Sequence, residues 1–375
     1  MRKLRTALVG CGKVGHLHAA ALQRLPESEF VGVCARSPEK AGAFAEKYHV
    51  AAFTDVTEMI AQAKVEAICI CTPHPQHAAP TIAAARAGVH VLVEKPLASS
   101  LADCDAMLAA ARENKTILGT VCQRRFYPPC QRIHHAIQNG KLGKPILGTA
   151  TIFGWRDEAY YRSDPWRGSW QHEGGGVLVN QSPHQLDLLL WYLGEAEEVF
   201  GYWANQNHPY IEVEDTAVAV VRFKNGALGN IVVSNSQNPA LNARVSVHGA
   251  NGASVGVQTD GGAMFIAGQT NAIEPPFNDI WTIPGEAQLL PQWKEADAQL
   301  FAAVNPMEYF HRLQIQDFLR AIIVGKTPSI TGEDGRRTVE LFTAIYRATR
   351  DLKPVRLPLA AEVFPSPLLP REGRG

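Results

Sequence analysis

Thr6-Ala7-Leu8-Val9-Gly10-Cys11-Gly12-Lys13-Val14-Gly15 is the stretch that decides the fold. Thr6 to Val9 predicts a short strand, and Gly10, Gly12 and Gly15 then fit the pattern G-x-G-x-x-G. Val14, Leu17, Ala21, Leu22 and Leu25 follow at three- and four-residue intervals, the spacing of one helix face. Strand, glycine turn and helix in that order give the pattern its meaning. Glycine lets the backbone turn tightly and approach a pyrophosphate, whose charge rests on the helix's free N–H groups. Gly10, Gly12, Lys13, Val14 and Gly15 are therefore candidate cofactor-binding residues, and a dinucleotide is the expected cofactor.

The same rhythm continues outward. Apolar runs at Phe30–Ala35, Val65–Cys71, Val89–Val93 and Thr116–Val121 predict further strands, with helices near 76–87 and 100–114. Ser37-Pro38-Glu39 reads as a helix start, with a capping residue, a first-turn proline and an acid at the positive dipole end. Strands buried on both faces and joined by helices specify an α/β, doubly wound parallel sheet over residues 1–122. Beyond Phe126 strand-like alternation dominates, at Ile146–Phe153, Thr216–Phe223, Ala227–Ser234 and Ala243–Gly249, with a hairpin signal at Asn225-Gly226. One helix interrupts near Ser182–Leu193 and two more close the region, near 308–324 and 333–350. Residues 123–359 are thus expected to form an α+β domain for substrate binding and oligomerisation. Its large, mostly antiparallel open sheet would have helices on one face. The other face needs cover, which predicts a homodimer or homotetramer formed through this sheet. Residues 360–375, proline-bearing and ending Glu372-Gly373-Arg374-Gly375, are expected to be a disordered tail.

Thirty-six basic and thirty-six acidic side chains cancel, so no global field favours nucleic acid or an anionic membrane. A small-molecule partner is the better expectation. The seven cysteines form no C-x-x-C pair and their odd number argues against a disulfide framework, which points to the cytoplasm. The apolar run after the basic start breaks at Gly10 and Gly12, too early for a signal peptide. No run reaches the roughly 18 apolar residues a membrane helix needs.

An acid about 20 residues past the glycines commonly binds the ribose of NAD. Here Ala35, Arg36 and Ser37 occupy that place, a guanidinium and a hydroxyl suited to a 2′-phosphate. NADP is the favoured cofactor and NAD the alternative. Cys71-Thr72-Pro73-His74-Pro75-Gln76-His77 lies past the third strand, where Thr72 and Pro73 could shape the wall beside the nicotinamide ribose. His77 is a further cofactor candidate. Glu94-Lys95-Pro96 ends the strand Val89–Val93 at the same sheet edge, placing Glu94 and Lys95 by the cofactor's reactive ring.

The richest constellation runs from Glu173 through Gly174-Gly175-Gly176 to Asn180, His184 and Asp187. A helix beginning near Asn180 would set Asn180 and His184 on one face. His184 is the candidate acid/base, with Asp187 as its orienter or as a cap. Tyr161, Trp166 and its neighbours suit packing on a polyol ring. His311 and Arg124 complete the candidate substrate contacts, although Arg124 and its neighbour Arg125 could either reach the site or brace the seam between the domains. No residue is assigned to a metal.

Taken together, these residues resemble the glucose–fructose oxidoreductase, inositol dehydrogenase and rhizopine catabolism family, Gfo/Idh/MocA. The resemblance rests on Gly10–Gly15, Thr72-Pro73 with His77, Ala87–Pro96, and Gly174-Gly175-Gly176 leading to His184 and Asp187. It implies a Rossmann domain, an open-sheet substrate domain, NAD(P) and a sugar or cyclitol (inositol-like) substrate, with Lys95 and His184 at the catalytic lysine and histidine. Many members carry aspartate four residues before the histidine, where this chain has Asn180. A neutral amide excludes a simple aspartate–histidine relay.

Histidine starts at about pKa 6.5 and lysine at about 10.4; bringing the lysine to neutrality would take roughly 4–5 kcal/mol. His184 is thus the cheaper base, and Lys95 stays protonated against the forming alkoxide. The competing readings are a non-catalytic cofactor-binding regulator on the same fold, and a reductase of a cyclic diene-diol or a tetrapyrrole.

Overall fold

The computed structural model describes residues 2–261 and 274–359. The tail from 360, expected to be disordered, lies outside the described residues. The chain divides into two compact units. One holds the chain up to Gln123 together with Asn305–Arg336, and the other holds Arg124–Val304 and the chain from Arg337.

In the first unit β1 (Leu4–Val9), α1 (Lys13–Arg24), β2 (Ser28–Cys34), α2 (Pro38–Tyr48), β3 (Ala51–Phe53), α3 (Val56–Ala63), β4 (Ala67–Ile70), α4 (Ala78–Arg86), β5 (His90–Val93), α5 (Leu101–Glu113) and β6 (Leu118–Thr120) alternate. The strands are parallel and ordered β3-β2-β1-β4-β5-β6. That order reverses between β1 and β4, the place where doubly wound sheets open a crevice at their carboxyl ends. All four residues of β4 are buried, as a central parallel strand requires. Ser37 caps α2 by accepting from Lys40 N at 3.2 Å, with Pro38 at the first helical position. On the expected face of α1, Ala21, Leu22 and Leu25 are buried and Leu17 is half-buried, but Val14 is 39% exposed, and Gly15, His18 and Ala19 join the buried stripe.

The second unit begins with α6 (Pro128–Gln138), β7 (Pro145–Phe153), α7 (Glu158–Arg162), α8 (Val177–Asn180) and α9 (Pro183–Leu193). It continues with β8 (Ala196–Ala204), β9 (Thr216–Phe223), β10 (Leu228–Ser234), β11 (Asn242–Gly249), β12 (Ser254–Gly261), β13 (Phe277–Trp281) and α10 (Leu290–Ala303). Asn225-Gly226 turns β9 into β10, with Gly226 at φ +88. After α11 (Pro306–Val324) and α12 (Gly332–Asp351), β14 (Val355–Arg356) joins the sheet edge. The eight-stranded order is β13-β12-β11-β7-β10-β9-β8-β14, antiparallel except for β7 beside β10. α9 packs onto β7 and β11, and Gly148 permits this. A Cβ there would lie 2.4 Å from Leu193 Cδ1. Buried and exposed residues alternate along β9, so one sheet face is covered and the other points outward.

α11 belongs to the first unit, although its place in the sequence follows the antiparallel strands. Ile315, Phe318 and Leu319 of α11 enter one core with Leu4, Leu8, Leu22, Val33 and Leu92. The apolar stripe of α11 is therefore the cover for α1 and the parallel sheet.

Candidate active site

In the first unit the glycine turn has the geometry of a phosphate cradle. Gly10 sits at φ +106, and a Cβ there would fall 2.5 Å from the carbonyl carbon of Cys71. A Cβ on Gly15 would lie 2.3 Å from Gly10 O. These two glycines are demanded by the fold. Gly12 is different, because a Cβ there would meet no protein atom within 4 Å. It caps α1 with no side-chain hydrogen bond, and Lys13 and Val14 beside it are exposed. The residues present thus fit a pyrophosphate at the α1 N-terminus. Arg36 is exposed at the end of β2. The Ser37 hydroxyl is already engaged, donating to Glu39 Oε2 at 2.5 Å, so a carboxylate stands beside it that the spacing of Arg36 and Ser37 did not reveal.

Thr72 and Pro73 are half-buried after β4, and Thr72 Oγ1 donates to Gln76 O at 3.2 Å. His77 is buried. Its Nδ1 lies 3.0 Å from Pro96 O and its Nε2 lies 2.8 Å from Thr72 O. Both ring nitrogens therefore face protein carbonyls, and the ring straps the loop after β4 to the segment following Lys95. His74 is buried beside it, its ring centroid 6.4 Å from that of His77.

Lys95 is half-buried at the end of β5, and its peptide N–H donates to Glu94 Oε2 at 3.1 Å. The Glu94 carboxylate is turned inward, 2.8 Å from His18 Nε2 of α1 and 3.6 Å from His311 Nε2 of α11. His311 Nδ1 donates to Met307 O at 2.5 Å. Burial would raise the Glu94 carboxyl, but hydrogen bonds from the two imidazoles prevail and hold it well below the usual carboxylate range. Burial pulls His18 down despite its carboxylate partner. The three residues bring ligand-type atoms within 4.8 Å of one another. The 2.8 Å contact is a hydrogen-bond length, and the cluster serves to anchor the backbone that carries Lys95. His18 and the buried role of His311 escape a reading of the sequence, because histidine carries no signal for being inside.

In the second unit two of the three glycines, Gly175 and Gly176, approach protein groups. A Cβ on Gly175 would lie 2.3 Å from Tyr346 Oη, and one on Gly176 would lie 1.8 Å from Glu214 O. The fully buried Glu214 accepts from Gly176 N at 2.9 Å, Leu178 N at 2.9 Å and Tyr346 Oη at 2.8 Å. It thereby satisfies donors at the start of α8. Burial pushes its carboxyl up to about 7 against the pull of these donors. Glu214 and Tyr346 lie far from the glycines in sequence, with nothing in their spacing to link them.

The helix expected near Ser182–Leu193 is present as α9, and Asn180 lies outside it. α8 ends at Asn180, Gln181 and Ser182 break the run, and His184 stands in the first turn of α9. The break is stabilised by Ser182, whose N–H donates to Val177 O at 2.9 Å and whose hydroxyl donates to Leu178 O at 2.7 Å. His184 is 8% exposed. Asn180 Nδ2 donates to the buried Glu173 Oε1 at 2.5 Å and lies 3.3 Å from Tyr160 Oη. Asp187 binds Arg125. Arg124 is committed to Asp260 through Nη2 at 2.8 Å. Tyr161 is buried, and its hydroxyl accepts from Asn235 Nδ2 at 3.4 Å. The Arg167 guanidinium lies 4.4 Å from the Trp166 ring centroid and 4.3 Å from that of Tyr160, so it already covers one face of each ring.

Comparison with known proteins places both units in one family. The Gfo/Idh/MocA description "Oxidoreductase family, NAD-binding Rossmann fold" matches residues 4–121, and the Gfo/Idh/MocA C-terminal domain matches residues 130–255. Myo-inositol 2-dehydrogenase of Thermotoga maritima is 27% identical over 94% of this chain and 98% of its own length. The 1,5-anhydro-D-fructose reductase of Ensifer adhaerens is 30% identical, over 92% and 96% respectively. Among solved structures, the WlbA dehydrogenase of Bordetella pertussis in complex with NADH and UDP-GlcNAcA superposes with a TM-score of 0.84 and 29% identity. That match covers 96% of this chain and 99% of that one.

Proposed function

Because the chain belongs to the Gfo/Idh/MocA family of NAD(P)-dependent dehydrogenases and reductases, we propose that it moves a hydride between a nicotinamide and a secondary alcohol or ketone of a sugar, sugar derivative or cyclitol. The observation that carries this reading is Gly12, whose open side and uncapped helix end leave room for a pyrophosphate. When bound, the nicotinamide supplies the acceptor for the hydride. His184 takes the hydroxyl proton as general base. Lys95 donates to the same oxygen and stabilises the negative charge that develops there. The Glu94 anchor fixes the lysine's peptide, and the Glu214 latch fixes the glycine run that leads toward His184.

Arg36 supports NADP as the favoured nucleotide, and Glu39 beside Ser37 is the charge that a 2′-phosphate must overcome and that NAD would not meet. On the outward face of the eight-stranded sheet, Tyr202, Val218, Val220 and Leu228 are 46–59% exposed, which supports a homodimer or homotetramer joined there. Light scattering of wild type and Val220→Lys tests this, with a shift to monomer expected. Seven free thiols suit the reducing cytoplasm. No described helix is long and apolar enough to cross a membrane.

Absorbance at 340 nm with a panel of sugars and inositols tests the activity. His184→Ala and Lys95→Ala should each lower kcat by at least about a hundredfold while nucleotide still binds. Normal turnover in Lys95→Ala would overturn the electrostatic role. Nucleotide binding with no turnover of any sugar or cyclitol would favour a regulator.

A further inference from the structure

We infer that the first unit carries a further small-molecule site, a cavity at the amino ends of β5 and β6 that takes an organic anion with an apolar body. The inference goes beyond the dehydrogenase reading and does not depend on it.

The cavity has a volume of about 430 Å³ and is lined by residues of β5, β6, α5, α11 and the turn into α12. That is room for roughly fourteen waters at about 30 Å³ each, within the range of small-ligand pockets. His90 opens β5 and Leu118 opens β6, whereas the glycine turn follows the carboxyl end of β1. In a parallel sheet these are opposite edges, so the cavity is separate from the nucleotide crevice. The deep part of its lining is apolar: Leu108, Ala111 and Leu118 are buried and Ile322 is half-buried.

The polar part is unbalanced. Lys115 and Lys326 both line the cavity, and neither ammonium has a partner among the described residues. Glu333 supplies the one carboxylate among the lining residues, and Arg112 Nη2 already donates to it at 3.0 Å. Each lysine follows a helix C-terminus, where a cation is favoured: Lys115 comes after Asn114 of α5, and Lys326 after Gly325 of α11. Two such ends amount to about one negative charge, so one of the two ammonium charges stays uncompensated.

His90 adds a neutral donor. Ile117 N–H donates to its Nδ1 at 2.9 Å, so the ring proton sits on Nε2. Burial pulls this imidazole below its ordinary range; Glu66 pulls the other way but is itself paired with Arg2 at 2.6 Å. The Nε2–H has no partner among the described residues, and neither has the Thr327 hydroxyl. Free donors around an apolar interior match an anionic oxygen head on an apolar body. A neutral sugar or a cation would leave the ammoniums unmatched.

Isothermal titration calorimetry on the full-length protein, saturated with nucleotide to fill the crevice at Gly12, tests this. Naphthoate and naphthyl phosphate are the anionic probes and uncharged naphthamide is the control. At least one anion should bind once per chain, the tighter of the two identifying the head as carboxylate or phosphate, and naphthamide should bind at least about tenfold more weakly. The double variant Lys115→Asn, Lys326→Gln should weaken the anion by about tenfold, since each exposed charge contributes up to about 1 kcal/mol. Asparagine accepts the φ of +54 at position 115, and both side chains are exposed, so melting temperature should be unchanged. Equal affinity in the double variant and wild type would overturn the assignment. So would naphthamide binding as tightly as the anions, or neither anion binding with a Kd below about 1 mM.

Discussion

Asp187 grips Arg125 through paired hydrogen bonds of 2.8 and 2.6 Å, three residues beyond His184 on α9. Both side chains are nearly out of solvent, and the guanidinium also lies 5.3 Å from the Trp191 ring centroid. The carboxylate three positions past the histidine is thus a fastening for the helix that carries it. Asp187→Ala should destabilise the second unit by roughly 3–5 kcal/mol, because it strands a buried charge. Arg125→Lys should also weaken it, since an ammonium cannot reproduce the two-pronged bond. Urea unfolding followed by tryptophan fluorescence would measure both, and wild-type stability in Asp187→Ala would refute the fastening.

The Glu94 cluster predicts a kinetic effect with a different signature. In Glu94→Gln the Lys95 peptide keeps an acceptor only if the amide turns correctly, and the imidazole bonds lose their charge assistance. We expect kcat to fall by about tenfold or more while the dissociation constant for nucleotide changes little, a split read by steady-state kinetics and nucleotide fluorescence. Unchanged kcat would show that the lysine does not depend on this anchor.

Glu214 and Asp215 are adjacent, buried and shifted in opposite directions. Burial raises Glu214 to about 7, above its unfolded value of about 4.5. Its contribution to stability is therefore full below the unfolded value and is lost as pH rises through 7. Burial would also raise Asp215, but hydrogen bonds from His208 and from Gln206 N and Asn207 N prevail and hold it well below the usual range. Its contribution is full above about pH 4 and is lost on acidification. The melting temperature of wild type should fall between pH 5 and 8, and Tyr346→Phe, which removes one donor from Glu214, should steepen that fall. A wild-type profile flat over this range would contradict the shift.

The nucleotide preference can be moved by one charge. Glu39→Gln removes the carboxylate at Ser37 and should raise the ratio of kcat/KM for NADP over NAD by about tenfold, while Arg36→Ala should lower it. Equal ratios in all three proteins would show that the end of β2 does not read the 2′ position.

The parts of this molecule legible in its sequence are those governed by local physics. Gly10 and Gly15 needed positive φ or close backbone approach, and β4 and β5 needed apolar residues on both faces. The capping trio at Ser37 also announced itself. Side chains that act through distant partners were not legible. Val14 is apolar yet exposed and His18 is polar yet buried, because the stripe of α1 is set by α11, which arrives nearly 300 residues later. The helix expected near Ser182–Leu193 was legible, whereas the short α8 before it, set apart by Ser182 bonding back to Val177 and Leu178, was not. Glu173 had been only the first letter of a glycine run, and its pairing with Asn180 depends on how the loop at Gly168 is folded.

The return of α11 to the first unit has a bearing on biosynthesis. Ile315, Phe318 and Leu319 complete the apolar interior under α1, so the nucleotide-binding half cannot close while the ribosome is still working through the antiparallel strands. At translation speeds of about 5–20 residues per second, that leaves the nascent parallel sheet waiting on the order of ten seconds or longer with an unshielded oily flank. A fragment halted at Gln123 should accordingly cling to chaperones or precipitate, and supplying the missing helix is what would release it.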